Sequence, residues 1–145
     1  MKHLKAFESY YDNPVFSELI GKSITNILIN SENSIILFKT GHDEEFAYCC
    51  EGDCCNDVWI EHLNGIDCII DGSTIFDVKS KGSEDRTPTK QEVEEALLWT
   101  IYTSSGNFDI EVRNSHNGYY GGSMYYMGSG LNSDNEDFRE VKEDF

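Results

Sequence analysis

The segment from Trp99 to Met127, WTIYTSSGNFDIEVRNSHNGYYGGSMYYM, combines the residue types that a pocket for a small anionic ligand needs. It holds a single arginine, Arg113, and pairs of adjacent tyrosines at 119–120 and 125–126. A guanidinium can form two parallel hydrogen bonds to a phosphate, and aromatic rings stack on other rings. The segment therefore predicts a pocket for an anion that carries a ring.

The same pattern also has a purely structural interpretation. Apolar side chains alternate from Phe108 to Val112, so Asp109, Glu111 and Arg113 share the other face of a regular strand. An exposed arginine paired with such carboxylates contributes at most about 1 kcal/mol to stability. The pattern alone favours this ion pair over a ligand-binding arginine, and tyrosines are commonly sheet or interface residues.

The cysteines are the next candidates for chemistry, because four of the five are clustered at 49–50 and 54–55, with Cys68 apart. Adjacent side chains of an extended chain point to opposite faces, so four thiolates cannot easily converge on a tetrahedral metal ion. We expect buried or turn-stabilising free thiols and no metal. A cysteine nucleophile at 54 or 55 needs a base such as His62 or His116 nearby, which the sequence leaves open.

Familiar catalytic motifs are absent from the sequence. It has no P-loop, no GxGxxG after a strand, no HExxH and no GxSxG. We therefore predict that the chain is not an enzyme and binds no cofactor.

The composition is strongly acidic, with 11 Lys and Arg against 27 Asp and Glu in 145 residues and a net charge of −16. This charge disfavours direct binding to nucleic acid or to an anionic membrane. It also permits the opposite role, a surface that imitates nucleic acid and blocks a basic protein. Because no apolar run suits a membrane helix or a secretory signal, we expect a cytoplasmic protein with reduced thiols.

The patterns along the chain predict an α+β, β-rich fold, with an antiparallel sheet of short strands and a short N-terminal helix between Pro14 and Gly21. The range 90–98 fits either a second short helix before Trp99 or a strand. The polar range 79–90 is expected to be a mobile loop. Strands and hairpin turns are predicted at 24–29, 34–40, 45–49, 74–78, Ser105-Gly106-Asn107 and Asn117-Gly118.

The chain is expected to form a single β-rich domain at 1–127. Residues 128–145 are polar and acidic, and we expect them to form a flexible tail. The few apolar residues of this tail leave a partner-binding role open, but a solvated segment is the better interpretation.

Two segments resemble a family of small phage-borne domains, DCCNDVWIEHLNGIDCIIDGSTI at 53–75 and WTIYTSSGNFDIEVRNSHNGYY at 99–120. Members carry an Asp-Cys-Cys motif, an Ile-Glu-Asp-Ile type run, a Trp-Thr-Phe-Tyr strand, an arginine-containing strand and a Ser-Asn-Gly-Tyr-Tyr turn. With the strand entry at 21–24, the resemblance covers most of 20–126. These domains are similar to the phage anti-Thoeris sponges, which bind and sequester the cyclic ADP-ribose-type signal of a bacterial TIR-domain defence.

The resemblance implies a homo-oligomer in the cytoplasm of an infected bacterium, with pockets for a nucleotide-type ligand near the subunit interfaces. By motif, Arg113 contacts the pyrophosphate of the ligand. The residues that would shape the pocket, followed by two candidates for ring stacking, are Asn114, Asn117, Tyr119, Tyr120, Trp99 and Tyr102. A tryptophan in a strand is, however, more often a core residue.

The chain departs from the family pattern in three places. Asn114 stands where many members have an aromatic residue, His62 replaces the usual acid, and Gly121-Gly122 replace polar residues. These differences affect the identity of the ligand more than the fold. The predicted function is non-catalytic sequestration of a small cyclic nucleotide-type immune signal. The alternative is an acidic protein-binding inhibitor that uses clusters such as 134–137 to block a host DNA-binding or defence protein.

Overall fold

The computed structural model describes residues 15–52, 56–87, 93–116, 122–128 and 137–145. This part of the chain forms nine β-strands, a 3₁₀ turn at Ser17–Leu19 and a four-residue helix at Ile66–Ile69. Every strand pairing within it is antiparallel. The strands are β1 Ile24–Asn30, β2 Ile35–Thr40, β3 Glu45–Glu51, β4 Asp57–Asn64, β5 Ile75–Asp85, β6 Val93–Thr103, β7 Gly106–His116, β8 Ser123–Gly128 and β9 Phe138–Glu140.

The strands build two sheets that pack around one apolar core. The five-stranded sheet has the order β8-β3-β2-β1-β9, and the four-stranded sheet has the order β4-β7-β6-β5. Apolar side chains alternate into the space between the sheets because successive residues of a strand face opposite sides. Phe16 joins the two layers, since its ring centroid lies 6.0 Å from that of Phe38 on β2 and 5.7 Å from that of Trp99 on β6.

The prediction of a β-rich antiparallel fold is confirmed, although the strands form two sheets and helices contribute little. The predicted N-terminal helix is reduced, among the described residues, to the 3₁₀ turn Ser17–Leu19. The chain is thus mostly β, and the α+β label describes it only loosely. No helix in the described ranges is long and apolar enough to cross a membrane.

The range 93–98 is a strand, so a helix there is wrong. Every residue of β6 pairs with a residue of β7, and Leu97, Trp99 and Ile101 alternate towards the core. Pairing along a whole strand together with alternating burial outweighs the capping pattern that favoured a helix.

Most of the predicted polar loop at 79–90 is also a strand. β5 continues to Asp85, and its side chains after Val78 are exposed. Antiparallel pairing with β6 holds this part of the chain although it contributes nothing to the core. A polar sequence is compatible with such a strand because its side chains stay in water.

Residues 137–145 are not the flexible tail that their composition suggested. β9 pairs with β1 in the five-stranded sheet. The chain then reaches the other sheet, where the backbone N–H and C=O of Phe145 bond to those of Leu63, both at 3.0 Å. The Asp144 carboxylate accepts hydrogen bonds from the N–H groups of residues 65 and 66, both at 2.9 Å. We call residues 137–145 the strap, because they connect the two sheets.

Candidate functional site

Arg113 lies on the outward face of β7, and two carboxylates occupy its guanidinium. Nη1 lies 2.8 Å from Oε2 of Glu94, and Nη2 lies 2.7 Å from Oε2 of Glu111. Burial alone would lower the pKa of Arg113, but the hydrogen bonds to Glu111 and Glu94 outweigh it and raise the pKa. The ion-pair interpretation is therefore confirmed for Glu111. Asp109 instead accepts a hydrogen bond from Thr100 Oγ1 at 2.7 Å, and Glu94 is a partner that the sequence did not indicate.

Asn114 points into the molecule, away from Arg113. Its side chain is buried, and its Oδ1 accepts a hydrogen bond from Nδ2 of Asn56 at 3.1 Å. Adjacent residues of a strand face opposite sides of the sheet. The structure therefore does not bring Arg113 and Asn114 together on one surface of the described chain.

The structure also places the two stacking candidates, Trp99 and Tyr102, in different surroundings. Trp99 is only 7% exposed and packs against Phe16, so its ring belongs to the core. Tyr102 faces outward, with the Nζ atoms of Lys79 and Lys81 at 5.8 and 5.6 Å from its ring centroid. Tyr102 lies six positions along β6 from Ala96, the partner of Arg113, which is about 20 Å at roughly 3.3 Å per residue. Tyr102 and Arg113 thus lie near opposite ends of the outward face.

The remaining candidates, Asn117, Tyr119 and Tyr120, lie outside the described residues, in what we call the tyrosine segment (117–121). The residues on either side of this segment are held by buried contacts. His116 is buried, and its Nε2 lies 2.7 Å from Oε1 of Glu95. At the other end, a Cβ on Gly122 would lie 2.2 Å from Oδ1 of Asn114, so the Gly122 backbone packs directly on that amide.

Two further segments lie outside the described ranges, and described residues next to them lie near His116 and Asn114. Residues 53–55 connect Gly52 to Asn56, and a Cβ on Gly52 would lie 2.7 Å from Cβ of Asn56. Residues 88–92 lead into Val93, which pairs with His116. The described residues that flank the segments 53–55, 88–92 and 117–121 therefore lie at one end of the molecule, which we call the loop end. Its polar residues, the loop-end cluster, are the buried Asn114 and His116 and the half-buried Asn56 and Glu95.

The loop-end cluster contains a polar atom that the described chain leaves unpaired. Oδ1 of Asn56 is buried and has no hydrogen-bond partner among the described residues. A buried oxygen without a partner is costly, and a hydrogen-bond donor from a ligand or from water would satisfy it. The cluster can therefore recognise a ligand through hydrogen bonds. No group of three or more metal-binding side chains occurs in the described ranges.

The sequence pattern did not indicate Asn56, Glu95 or His116 as ligand-binding residues. The sequence did contain an indication of these residues, because the apolar alternation from Phe108 to Val112 continues in register to Asn114 and His116. Two polar residues at inward positions indicate a polar end to the core. Their partners on β6 and beside β4 are distant in the chain, so the pattern could not identify them.

The cysteines of β3 are weaker acids than ordinary thiols. Burial is the main cause that raises the pKa of Cys49 to about 11 and that of Cys50 to about 12. Pairing with β2 and β8 turns these neighbours to opposite faces of the sheet, as the sequence predicted. Neither thiol is activated as a nucleophile at neutral pH. Cys54 and Cys55 lie outside the described residues.

An open groove of about 300 Å³ crosses the outward face of the four-stranded sheet. One of its lining residues, Lys81, places its ammonium over the Tyr102 ring, and most of the lining side chains are polar. These include His62, Asn64, Lys81, Thr100, Asp109 and Glu111. It is separate from the loop-end cluster, because Asn114 and His116 project from the opposite face of β7.

Together, the fold and the site define a two-sheet antiparallel β domain with a partly buried polar cluster at one end of its four-stranded sheet. A family model, Domain of unknown function (DUF7448), matches residues 17–126, and the chain belongs to this family. The match runs from the 3₁₀ turn into β8 and does not include the strap. No curated protein and no solved structure matches the chain.

Proposed function

We propose that the chain is a non-catalytic binding protein that sequesters a small cyclic nucleotide-type signal, of the cyclic ADP-ribose kind. In this proposal it is a phage counter-defence protein in the cytoplasm of an infected bacterium. The resemblance in 53–75 and 99–120 supports the ligand class. The loop-end cluster supports the mode of action, because it offers hydrogen bonds in a partly buried setting.

One observation carries the proposal: buried polar contacts hold the chain on both sides of the tyrosine segment. His116 is fixed by Glu95, and Gly122 packs on Asn114. Ligand-binding residues are commonly carried by loops that a rigid sheet positions, and a fixed base limits the entropy lost on binding. Slow release without turnover needs such pre-organisation and no acid-base machinery.

Arg113 differs from the other candidates, because Glu94 and Glu111 already compensate its charge. To bind a pyrophosphate, the guanidinium would have to exchange Glu94 or Glu111 for the ligand. Such an exchange is chemically feasible, since guanidinium forms the same forked hydrogen bonds with carboxylate and phosphate. We therefore assign the loop-end cluster the primary role, and Arg113 a role that depends on this exchange.

Binding is tested with three probes, cyclic ADP-ribose, ADP-ribose and NAD, by calorimetry and by native mass spectrometry of the purified protein. We expect the cyclic compound to be retained and to be recovered unchanged after denaturation. Asn114→Ala should weaken binding at least about tenfold, as expected when a buried hydrogen-bonding partner is lost. Asn107→Ala is the matched control, because Asn107 is an exposed asparagine at the other end of β7.

Two results would overturn the proposal. The first is an empty protein with all three probes and with extract from cells whose nucleotide-signalling defences have been triggered. The second is recovery of a cleaved product, which would make the chain an enzyme. Equal weakening by Asn114→Ala and Asn107→Ala would reject the site but not the ligand class.

A second candidate function is an acidic inhibitor of a basic host protein. It is favoured by the outward face of β6 and β7, where Asp109 is exposed and where Glu94 and Glu111 together outnumber the charge of Arg113. A complex with a basic protein that weakens steeply with salt would support it. Its affinity should fall when Asp134, Glu136 and Asp137 are neutralised together.

A further inference from the structure

The sequence contains two Asn-Gly pairs, Asn64-Gly65 and Asn117-Gly118, and the structure describes the first of them. Asparagine before glycine readily loses its side-chain ammonia, because glycine has no Cβ to obstruct attack of its backbone nitrogen on the asparagine side chain. Asn64 is the last residue of β4, and its exposed side chain lines the groove. Its amide forms no hydrogen bond with any described residue. Asn64-Gly65 therefore has the residue types and the exposure that deamidation needs.

The fold itself requires glycine at position 65. The backbone of Gly65 has a φ of +96°, and an added Cβ would lie 2.2 Å from the backbone oxygen of Asn107. Residues other than glycine rarely adopt such a conformation. A bulkier residue, which would slow the reaction by obstructing the nitrogen, therefore does not fit after Asn64.

The strap holds the backbone on both sides of Asn64. On one side, Leu63 exchanges two backbone hydrogen bonds with Phe145, both at 3.0 Å. On the other side, the N–H of Gly65 donates to Oδ1 of Asp144 at 2.9 Å. Deamidation begins with a rotation of the Asn64 backbone that brings the Gly65 nitrogen towards Cγ of Asn64. The hydrogen bonds to the strap oppose this rotation.

The Asp144 carboxylate opposes the chemistry as well as the rotation. The attacking group is the deprotonated amide nitrogen of Gly65, and a negative charge beside it disfavours its formation. A carboxylate is too weak a base to remove an amide proton itself. The attack therefore requires the Gly65 N–H to leave Asp144. The loss of a hydrogen bond to a charged acceptor slows such a step by about tenfold or more.

We propose that Asn64-Gly65 is a deamidation site whose rate is set by the strap through Asp144. When Asp144 withdraws, the Gly65 nitrogen bonds to Cγ of Asn64 and the Cγ–Nδ2 bond breaks. Nδ2 leaves as ammonia, with the proton that the Gly65 nitrogen has given up. Water then opens the five-membered imide at either carbonyl and leaves aspartate or isoaspartate at position 64. This inference does not depend on the proposed ligand.

Either product changes the surroundings of the strap. An aspartate at position 64 adds a negative charge directly opposite Asp109, its partner on β7, and like charges at paired positions are destabilising. An isoaspartate adds a methylene to the backbone between Leu63 and Gly65. The spacing of these two residues then no longer matches Phe145 and Asp144 of the strap. Isoaspartate at position 64 therefore prevents the strap contacts from forming together again.

The test is the deamidation rate of the full chain at pH 7.5 in water enriched in oxygen-18, which labels only the residues that react during incubation. Mass spectrometry of the digested protein then measures Asn64 and Asn117 separately. In the folded wild type, Asn64 should react at least about tenfold more slowly than in the chain unfolded in guanidinium chloride. Asp144→Ala should accelerate the reaction of Asn64 about tenfold.

Two controls show whether the effect belongs to this contact. Glu143→Ala removes a neighbouring exposed carboxylate and should leave the rate at Asn64 unchanged. Asn117 is the reference within the same chain, and its rate should be the same in the folded wild type and in both variants. Circular dichroism establishes that each variant is folded. If Asp144→Ala does not fold, Asp144→Asn takes its place and should accelerate Asn64 at least about threefold, because a neutral acceptor binds the N–H more weakly.

Three results would overturn the inference. The first is deamidation of Asn64 in the folded wild type at the rate of the unfolded chain. The second is an unchanged or lower rate at Asn64 when the Asp144 carboxylate is removed. The third is an equal acceleration of Asn117, which would show a general loosening of the fold. Ligand binding is measured separately, so failure here leaves the proposed function untouched.

Discussion

The surroundings of Arg113 differ from those of a free ligand-binding arginine. Its side chain is 16% exposed, and two carboxylates from β6 and β7 compensate its charge. Removing the guanidinium would leave Glu94 and Glu111 close together without a counter-charge. Any role of Arg113 in binding is therefore linked to its contribution to stability.

We expect Arg113→Ala to lower the free energy of unfolding by about 1 to 3 kcal/mol, because partly buried hydrogen bonds to charged groups are lost. Urea denaturation at neutral pH measures this change. Arg86→Ala is the matched control and should cost less than about 0.5 kcal/mol, since Arg86 and Glu84 are more exposed. Equal effects of the two substitutions would contradict the structural role of Arg113.

The thiol of Cys50 should make the protein less stable in alkali. Burial raises its pKa from 9.0 to about 12, so the folded chain keeps a proton that the unfolded chain loses above pH 9. Stability contributed by this thiol is complete below pH 9 and falls as the pH rises towards 12, by at most about 1.4 kcal/mol per pH unit. Urea denaturation from pH 7.5 to 10.5 should show a shallower loss for Cys50→Ala than for wild type.

Full recovery of stability on return to pH 7.5 separates this titration from alkaline damage. Parallel pH profiles of wild type and Cys50→Ala would show that the thiol does not contribute.

Among the elements, β7 has the central position in both the fold and the candidate site. Its inward residues are apolar from Phe108 to Val112 and then become polar at Asn114 and His116. The same strand therefore contributes to the core and to the loop-end cluster. The close packing of Gly122 on Asn114 ties the start of β8 to this polar end.

We expect Gly122→Ala to destabilise the protein by about 1 to 3 kcal/mol and to weaken ligand binding. The added Cβ would lie 2.2 Å from Oδ1 of Asn114 and 2.7 Å from Cγ2 of Val58, so the Gly122 backbone or these side chains must shift. Thermal unfolding and calorimetry measure the two effects. Gly41→Ala is the control, because its Cβ would meet only Cγ2 of Thr25, at 3.8 Å.

The pair of substitutions Gly122→Ala and Asn114→Ala tests the contact directly. In the Asn114→Ala background, Gly122→Ala should cost less, because one of the two close contacts has gone. Strictly additive effects would show that the two residues do not interact.

For the molecule as a whole, the strap is one of the features that link the sheets outside the core. It adds β9 to the five-stranded sheet and then bonds to Leu63 and to the N–H groups before the helix Ile66–Ile69. The strap lies beyond the residues that the family model matches. The sheets of this chain are therefore joined by an element that the family match does not include.

We expect Asp144→Ala to lower the free energy of unfolding by about 1 kcal/mol, because its carboxylate accepts hydrogen bonds from two N–H groups at a helix start. Hydrogen exchange should accelerate at residues 65 and 66 in particular. Glu143→Ala is the control, since it removes a neighbouring carboxylate that is exposed. Unchanged exchange at residues 65 and 66 would mean that the strap does not hold the helix start.

The strand pattern was readable from sequence wherever one face of a strand is buried. The predicted strands at 24–29, 34–40 and 45–49 are confirmed with small shifts of their ends, and the outward placement of Arg113 with Glu111 is confirmed. The sequence did not predict β5 beyond Val78, because this part of the strand has no buried face and hence no alternation of apolar and polar residues. The sequence did not predict the strap, because its three apolar residues lie in an acidic segment and do not recur with the two-residue period of a strand.

By itself, the sequence determined that the chain is β-rich, that Arg113 shares a face with Glu111, and that known catalytic motifs are absent. These properties follow from neighbours in the chain, because the two-residue period of a strand is local. Tertiary structure decided that the strands form two sheets, that Glu94 completes the Arg113 ion pair, and that Asn56 meets Asn114. Such contacts join residues far apart in sequence, and only the pairing of strands brings them together.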